Sequence, residues 1–431
     1  MSNSSVSSFS KQQVGALLSA ALYTASAHAI TIRFEAVPAL PNSSGYSVSG
    51  MSADGSTFFG QLTLASQSNA FRWTRAGGYQ TLGIFFDHTS SNATGSSADG
   101  TIILGNCYHT LSMGRKYSDA FLWTPGGGQV KITMHGAPSW DDTTVYPTQL
   151  SADGSFFVGY TIPAAVFGED YSRAFLRNNT TGAMTYPDPA PTYDWNHSFA
   201  ASADGSIIVG DQKQPTDLAA RWVGGIAQSL GKLSGDSTSS ARLCSADGSV
   251  IVGESYGSGG SRKAFRWKSS GMVQLSPLAG QTGATAKCMS ADGTFIAGTC
   301  NDRALFWKNS TTPTELKPYL ASRGVDVSAW SSITTINGVS ADGNKLVGIG
   351  FRNGVRTVWL ADLDYQCHAD LDLNSLVEDT DFVLFASAYE TFDCADPAMP
   401  IACPADLNGD HFVDDADFVV FAAAYDELAC P

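Results

Sequence analysis

Basic residues are scarce in this chain, and its C-terminal part has none. The 431 residues include 25 Lys and Arg against 40 Asp and Glu, for a formal charge of −15. From Asp362 to Pro431 there are 17 acids and no Lys or Arg, so residues 1–361 carry 23 acids and 25 bases and are close to neutral. A nucleic-acid partner would need a basic face, and a nearly neutral body argues against one. Histidine is also rare, with seven in all. No His-Glu-x-x-His pair, Gly-x-Ser-x-Gly elbow or nucleotide-binding glycine loop occurs, so the commonest hydrolase and nucleotide-binding signatures are missing. No apolar run reaches the roughly 20 residues that span a bilayer. The stretch nearest to one follows Lys11, from Val14 to Ala25, and leads into Ala27-His28-Ala29. That is the layout of a secretory signal peptide cleaved after Ala29, which predicts a secreted, cell-surface or periplasmic protein.

Cysteine use agrees with export. Four of the eight lie in the acidic tail as two pairs of equal spacing, Cys367 with Cys394 and Cys403 with Cys430, offset by 36 positions. Two intra-repeat disulfides are the simplest pairing, although four cysteines permit three connectivities. Cys107, Cys244, Cys288 and Cys300 are scattered through the body. Cys107 and Cys300 hold one repeat position and read as small buried hydrophobes.

The dominant presence is a repeat. Ser-Ala-Asp-Gly occurs seven times, with its aspartate at Asp54, Asp99, Asp153, Asp204, Asp247, Asp292 and Asp342, and a glycine follows each Asp at the sixth position (Gly60 to Gly348). A period of about 48 residues marks one supersecondary unit that needs neighbours to bury its apolar face. The phrase suits a tight hairpin, with the Asp bonding to turn backbone and the Gly taking positive φ. The apolar runs after it, such as Ile102-Ile103-Leu104 and Val250-Ile251-Val252, are continuous, as in strands buried on both faces. A second phrase, Ala70-Phe71-Arg72-Trp73 and its relatives at Ala120, Ala264 and Ala304, supplies a third strand, and glycine turns lead to a fourth.

Four antiparallel strands in each of seven units predict a seven-bladed β-propeller over residues 30–363, after a signal peptide at 1–29. Blade seven lacks a fourth strand of its own, and the segment from Ile30 to Leu40 looks like an orphan one. Pairing of Ile32–Phe34 with the strand around Thr357–Leu360 would close the ring. The repeated phrases resemble the HAF-type repeats of bacterial extracellular proteins over roughly residues 40–363, and Gly324–Leu363 resembles the terminal unit of such proteins. The resemblance implies export and a propeller-like fold, and it names no substrate. The hairpin is also similar to the Asp-box of sialidase propellers, but there the glycine sits one residue further on, so no activity carries over.

The tail, residues 366–431, is an internal duplication holding two twelve-residue acidic loops. Asp370, Asp372, Asn374, Glu378 and Asp381 stand at loop positions 1, 3, 5, 9 and 12; Asp406, Asn408, Asp410, Asp414 and Asp417 repeat them. With the position-7 carbonyls of Leu376 and Phe412, this spacing wraps oxygen ligands around Ca²⁺, giving two sites. An apolar helical run follows each loop, so the prediction is a small α-helical, EF-hand-like domain that Ca²⁺ orders. The arrangement resembles a type I dockerin, in which Asp closes the loop. It departs at position 6, where Ser375 and His411 replace the usual glycine, and the residue pairs Asp379-Thr380 and Asp415-Ala416 do not spell a usual cohesin-recognition pair.

The hairpins orient the ring, because the long variable connections must share the face opposite to them, and loops carry function in such scaffolds. Three tryptophans outside the strand phrase fall there: Trp140 beside Asp141 and Asp142, Trp195 within Tyr193-Asp194-Trp195-Asn196-His197, and Trp330. Aromatic platforms among carboxylates suit glycan or protein recognition, and plugging gaps between blades is the plainer role. Two functions are left open. One is a secreted, non-enzymatic propeller that binds an extracellular protein, glycan or matrix component and docks a partner through its calcium module. The other is an exported polysaccharide hydrolase or lyase carrying a dockerin-like tail, for which Glu169, Asp170, Asp141, Asp142 and His197 are the visible candidates.

Overall fold

The computed structural model describes residues 31–40, 42–110, 116–132, 143–163, 172–187, 196–213, 217–257 and 260–365, and in the tail 369, 371, 377, 379–400, 403, 405–407 and 411–426. Contacts divide the chain into two units, one of them Ile32–Leu363 and the other containing the tail from Asp364.

Seven four-stranded antiparallel sheets make up the first unit. Blades one to six run through residues 43–83, 90–131, 143–185, 196–231, 236–274 and 285–315, with strands in chain order across each sheet. The seventh combines Trp330–Val339, Lys345–Arg352 and Val355–Tyr365 with Thr31–Ala36 as its outer strand. The ring is therefore closed by both ends of the repeat array, as the orphan strand predicted, and Val37 N–H adds a bond to Val358 O at 2.9 Å. A short helix, α1 (Leu316–Ser322), precedes blade seven.

Each Ser-Ala-Asp-Gly phrase forms a hairpin of one design. In blade four, Ser202 Oγ donates to Asp204 Oδ1 at 2.7 Å, Ser206 N–H donates to the same oxygen at 3.0 Å, and Ile207 N–H donates to Ser202 Oγ at 3.0 Å. The aspartates are thus turn braces rather than ligands, as side-chain-to-backbone bonding predicts. Accepting these bonds holds Asp204 and Asp247 down to about 2.

The alanine has its own task. Ala98 N–H donates to Ala152 O at 2.7 Å, Ala203 to Ala246 at 2.8 Å, Ala246 to Ala291 at 2.7 Å, Ala291 to Ala341 at 2.9 Å, and Ala341 to Ala53 at 2.7 Å, so hairpin is tied to hairpin across blade joints. The following glycine packs on the preceding blade. At Gly293, φ is +71° and a Cβ would lie 2.7 Å from Val250 Cβ.

Between blades the core is built from the second and third strands. Phe71, Phe121, Phe175 and Phe265 of the Ala-Phe phrase are all fully buried, as are Trp222, Trp307 and Trp359. Arginines of the same phrase reach the next blade, Arg72 lying 4.5 Å from the centre of the Trp123 ring and Arg221 4.6 Å from that of Trp267. Trp330 is buried against Phe34, with ring centres 5.4 Å apart, and so takes the gap-filling role. Cys107, Cys288 and Cys300 are buried free thiols, as read for Cys107 and Cys300, and burial pushes Cys107 up to about 11.

The described part of the second unit holds two helices, α2 (Asp379–Thr391) and α3 (Asp415–Asp426), around a small core that includes Phe385, Ala388, Val413 and Phe421. The two copies brace each other reciprocally. Tyr389 of one donates to Asp415 of the other at 2.5 Å, and Tyr425 donates to Asp379 in return. The intra-repeat disulfide expectation is corrected here, since Cys394 is bonded to Cys403 with Cα atoms 5.4 Å apart. The copies meet at this point through the Asp393–Phe412 bridge, which sets Cys394 beside the second copy rather than within its own. Cys367 and Cys430 lie outside the described residues.

Candidate functional site

The glycine six residues after each Asp determines what the centre of the ring looks like. Opposite it, the innermost strand of every blade skips a register position, as between Ser198 and Ala200, which pair with Gly210 and Val209. A Cβ on Gly210 would stand 1.7 Å from the His197 carbonyl oxygen, so only glycine admits the close backbone approach of this bulge. The same skip recurs in all seven blades. The extra residue is Ser49, Thr94, Thr148, Phe199, Arg242, Lys287 or Asn337, five positions before the hairpin Asp each time, and all seven line a central channel of about 390 Å³. One repeated backbone device thus presents seven different side chains. Arg242 and Lys287, on neighbouring blades, are the cations among them, and Thr94 Oγ1 and Asn337 Oδ1 are buried without partners.

Further from the hairpins, a second set of unlike residues flanks the same strands seven positions either side of the Asp. In blades three to five these become a continuous cluster. Tyr146 and Tyr160 stack with centres 5.0 Å apart, Tyr160 meets His197 edge-on at 4.4 Å, and His197 lies 5.7 Å from Phe199. The Arg242 guanidinium covers the Phe199 ring at 3.9 Å.

Acids stand behind this surface. Asp211 Oδ1 is 2.7 Å from His197 Nδ1 while its Oδ2 accepts from Ser240 of the next blade at 2.8 Å. Glu254 accepts from Tyr256 at 2.7 Å, with Arg262 at 3.5 Å. Burial pushes Tyr160 up to about 12, so its phenol carries no charge at neutral pH. Tyr146, Tyr160, His197, Phe199 and Arg242 are all half-buried, which leaves an aromatic–cation surface open to a ligand.

Of the residues singled out in the sequence, His197 belongs to this cluster, but it sits on the innermost strand (Asn196–Ala201) rather than in a blade-to-blade connection. Trp140, Asp141, Asp142, Tyr193, Trp195, Glu169 and Asp170 lie outside the described residues. Tyr160, Phe199, Asp211 and Arg242 were missed. Their signal was available as the columns of the aligned repeat that vary inside otherwise uniform strands.

Of the tail's acidic loops, Asp381, Asp406, Phe412, Asp414 and Asp417 are described, and Asp370, Asp372, Asn374, Leu376, Glu378, Asn408 and Asp410 are not. Asp417 is fully buried and accepts from Leu407 N–H at 2.7 Å and Asp414 N–H at 3.0 Å, which draws the two ends of its loop together. His411 N–H donates to Asp406 Oδ2 at 2.9 Å within the same loop.

No protein-family model matches the sequence, and no curated protein does. Among solved structures, an oligogalacturonate lyase in complex with manganese is 14% identical with a TM-score of 0.50, covering 77% of this chain and 96% of that one. An oligogalacturonate lyase from Vibrio parahaemolyticus is 12% identical with a TM-score of 0.49, over 77% and 97%. TolB from Acinetobacter baumannii is 14% identical with a TM-score of 0.42, over 61% of this chain, which spans 64% of that protein. At these identities the likeness is one of fold. The chain is a mainly-β protein, a seven-bladed propeller with a helical C-terminal unit.

Proposed function

We propose that this is a secreted, non-enzymatic binding propeller that holds an extracellular glycan or protein segment on the inner rim of blades three to five and docks a partner through a Ca²⁺-stabilised tail. The observation that carries the reading is the half-buried run Tyr146, Tyr160, His197, Phe199 and Arg242. Flat rings offer area at low conformational cost, and the cation on Phe199 together with Asp211 and Glu254 supplies directional polar contacts, a mixture suited to a sugar ring or a polar peptide. The rigid seven-fold frame orders these groups before any ligand arrives.

For the tail, support comes from charge. Asp381 and Asp417 are fully buried carboxylates in a segment that has no Lys or Arg, so a bound cation is the natural counter-charge. Asp406, Asp414 and Asp417, with the carbonyl of Phe412, would hold it in the second loop, and the first loop would repeat the arrangement around Asp381. Its chemistry would be structural, tying loop to helix. The exposed apolar residues Phe382, Val383, Phe418 and Val419 then form the surface offered to a docking partner.

The test is a glycan and surface-protein binding screen of wild type against Tyr160→Ala and Phe199→Ala, with polysaccharide cleavage assayed on the same samples. Loss of about tenfold in affinity in both variants is expected, from removal of stacking worth roughly 1–1.5 kcal/mol each. Equal binding by all three proteins, or turnover of a polysaccharide, would replace this reading. Calorimetry of the full chain with Ca²⁺ should show heat of binding; no heat at millimolar Ca²⁺ would remove the calcium module.

A further inference from the structure

Away from the channel, blade two brings together three metal-ligating side chains from three different elements. His88 lies in the turn before the strand Ser90–Ser96, where its N–H donates to Phe85 O at 2.9 Å. His109 is near the end of Ile103–Thr110, and Asp119 is on the adjacent strand Lys116–Thr124. Each offers a ligand atom, and the three atoms lie within 4.8 Å of one another.

We propose that His88, His109 and Asp119 form a binding site for a first-row divalent metal ion of the zinc type. Two imidazoles and one carboxylate are a donor set that such ions prefer, at bond lengths of about 2.0–2.2 Å, and they leave one coordination position for water or a ligand.

Several further features point the same way. The His88 side chain is almost wholly buried, and Asp87 Oδ1 is 2.6 Å from its Nδ1, so the ring is oriented by a carboxylate with Nε2 facing Asp119 at 3.0 Å. A carboxylate behind a histidine in this way fixes the tautomer that ligates through the other nitrogen. His109 is held by stacking on Tyr117, with ring centres 5.3 Å apart, and by edge contact with His88 at 4.9 Å. Its Nδ1 is buried and has no hydrogen-bond partner, an arrangement that costs free energy unless something takes the lone pair. Asp119 meets both His88 and Lys131 through a single oxygen, Oδ2, the Lys131 ammonium standing 2.6 Å away. The ammonium already occupies the carboxylate oxygen that a metal ion would take, so the two would compete for it.

A purely structural alternative exists, with His88 bridging Asp87 and Asp119 and no metal bound. The two readings differ at His109, which the bridge does not use. The full chain, stripped with chelator and then dialysed, would be titrated with Zn²⁺ and separately with Co²⁺, alongside His109→Gln and Lys131→Met. Wild type should bind one more Zn²⁺ than His109→Gln and develop visible Co²⁺ bands that this variant lacks, whereas oxygen-rich loops in the tail would give only weak absorption. Lys131→Met should bind Zn²⁺ several-fold more tightly, because the competing ammonium is gone. Since the His109 nitrogen has no partner to lose, His109→Gln should melt within a few degrees of wild type without metal. Equal stoichiometry and equal Co²⁺ spectra in wild type and His109→Gln would overturn the assignment, as would unchanged Zn²⁺ affinity in Lys131→Met.

Discussion

The hairpin side of the propeller and its inner rim are built from the same strands and follow opposite rules. At the hairpins, seven copies of Ser-Ala-Asp-Gly repeat one design: serine to Asp, Asp to backbone and glycine against the previous blade in each, with alanine bonded to the next alanine at five of the joints. At the rim, the bulged position holds Ser, Thr, Thr, Phe, Arg, Lys and Asn, one in each blade. Uniformity secures the backbone, and that security is what leaves the side chain at the bulge free to vary. The glycine after each hairpin belongs to the first set and creates the second.

This contrast can be tested most forcefully at the glycines. Gly210→Ala, whose Cβ would meet a backbone carbonyl, is expected to cost about 4 kcal/mol in denaturant unfolding. Gly224→Ala, at φ +57° but with open space around it, should cost only about 1 kcal/mol. Similar losses in both would mean that the bulge does not need its glycine. Next come the bulged residues themselves. Phe199→Thr and Arg242→Thr copy what blade three already holds at this position, so unfolding free energy should move by less than about 1 kcal/mol while ligand affinity falls roughly tenfold. A large stability loss would make the rim part of the frame.

The smallest effect concerns acid. Asp204 and Asp247 titrate at about 2 in the folded chain against an ordinary 3.8. Between those values the unfolded chain binds more protons, so the contribution of these hairpins is complete above pH 4 and is lost as pH falls toward 2. Melting temperature measured from pH 5 to pH 2 should decline over that window, and Asp247→Asn should flatten the decline.

Much of the frame was legible because a repeat shows its own pattern seven times. The hairpin aspartates, the buried Phe and Trp of the third strand and the closing strand Thr31–Ala36 could all be read from periodicity and from counting strands at the two ends. The rim was harder to read for a related reason. Tyr160, Phe199 and Arg242 look like noise in a repeat, because they stand where the copies disagree. The tryptophans outside the strand phrase point to the connections instead, and of the residues around them only His197 belongs to the rim cluster. The metal-ligating group in blade two was invisible to spacing, since His88, His109 and Asp119 meet only after three elements fold side by side. The disulfide failed for a different reason: equal spacings of 27 suggested pairing within each copy, whereas the two copies pack so that Cys394 faces Cys403.

The way the last blade is completed has a mechanical consequence. In sequence the strand Val355–Tyr365 leads to the C-terminal unit, and in the sheet it lies between Lys345–Arg352 and Thr31–Ala36. A pull on the chain beyond Tyr365 would reach the propeller along this strand, where two hydrogen-bonded ladders share the load. An edge strand in that place could be peeled away one bond at a time; an inner strand must break both ladders, so the seam that closes the ring is also the point at which it resists being pulled open.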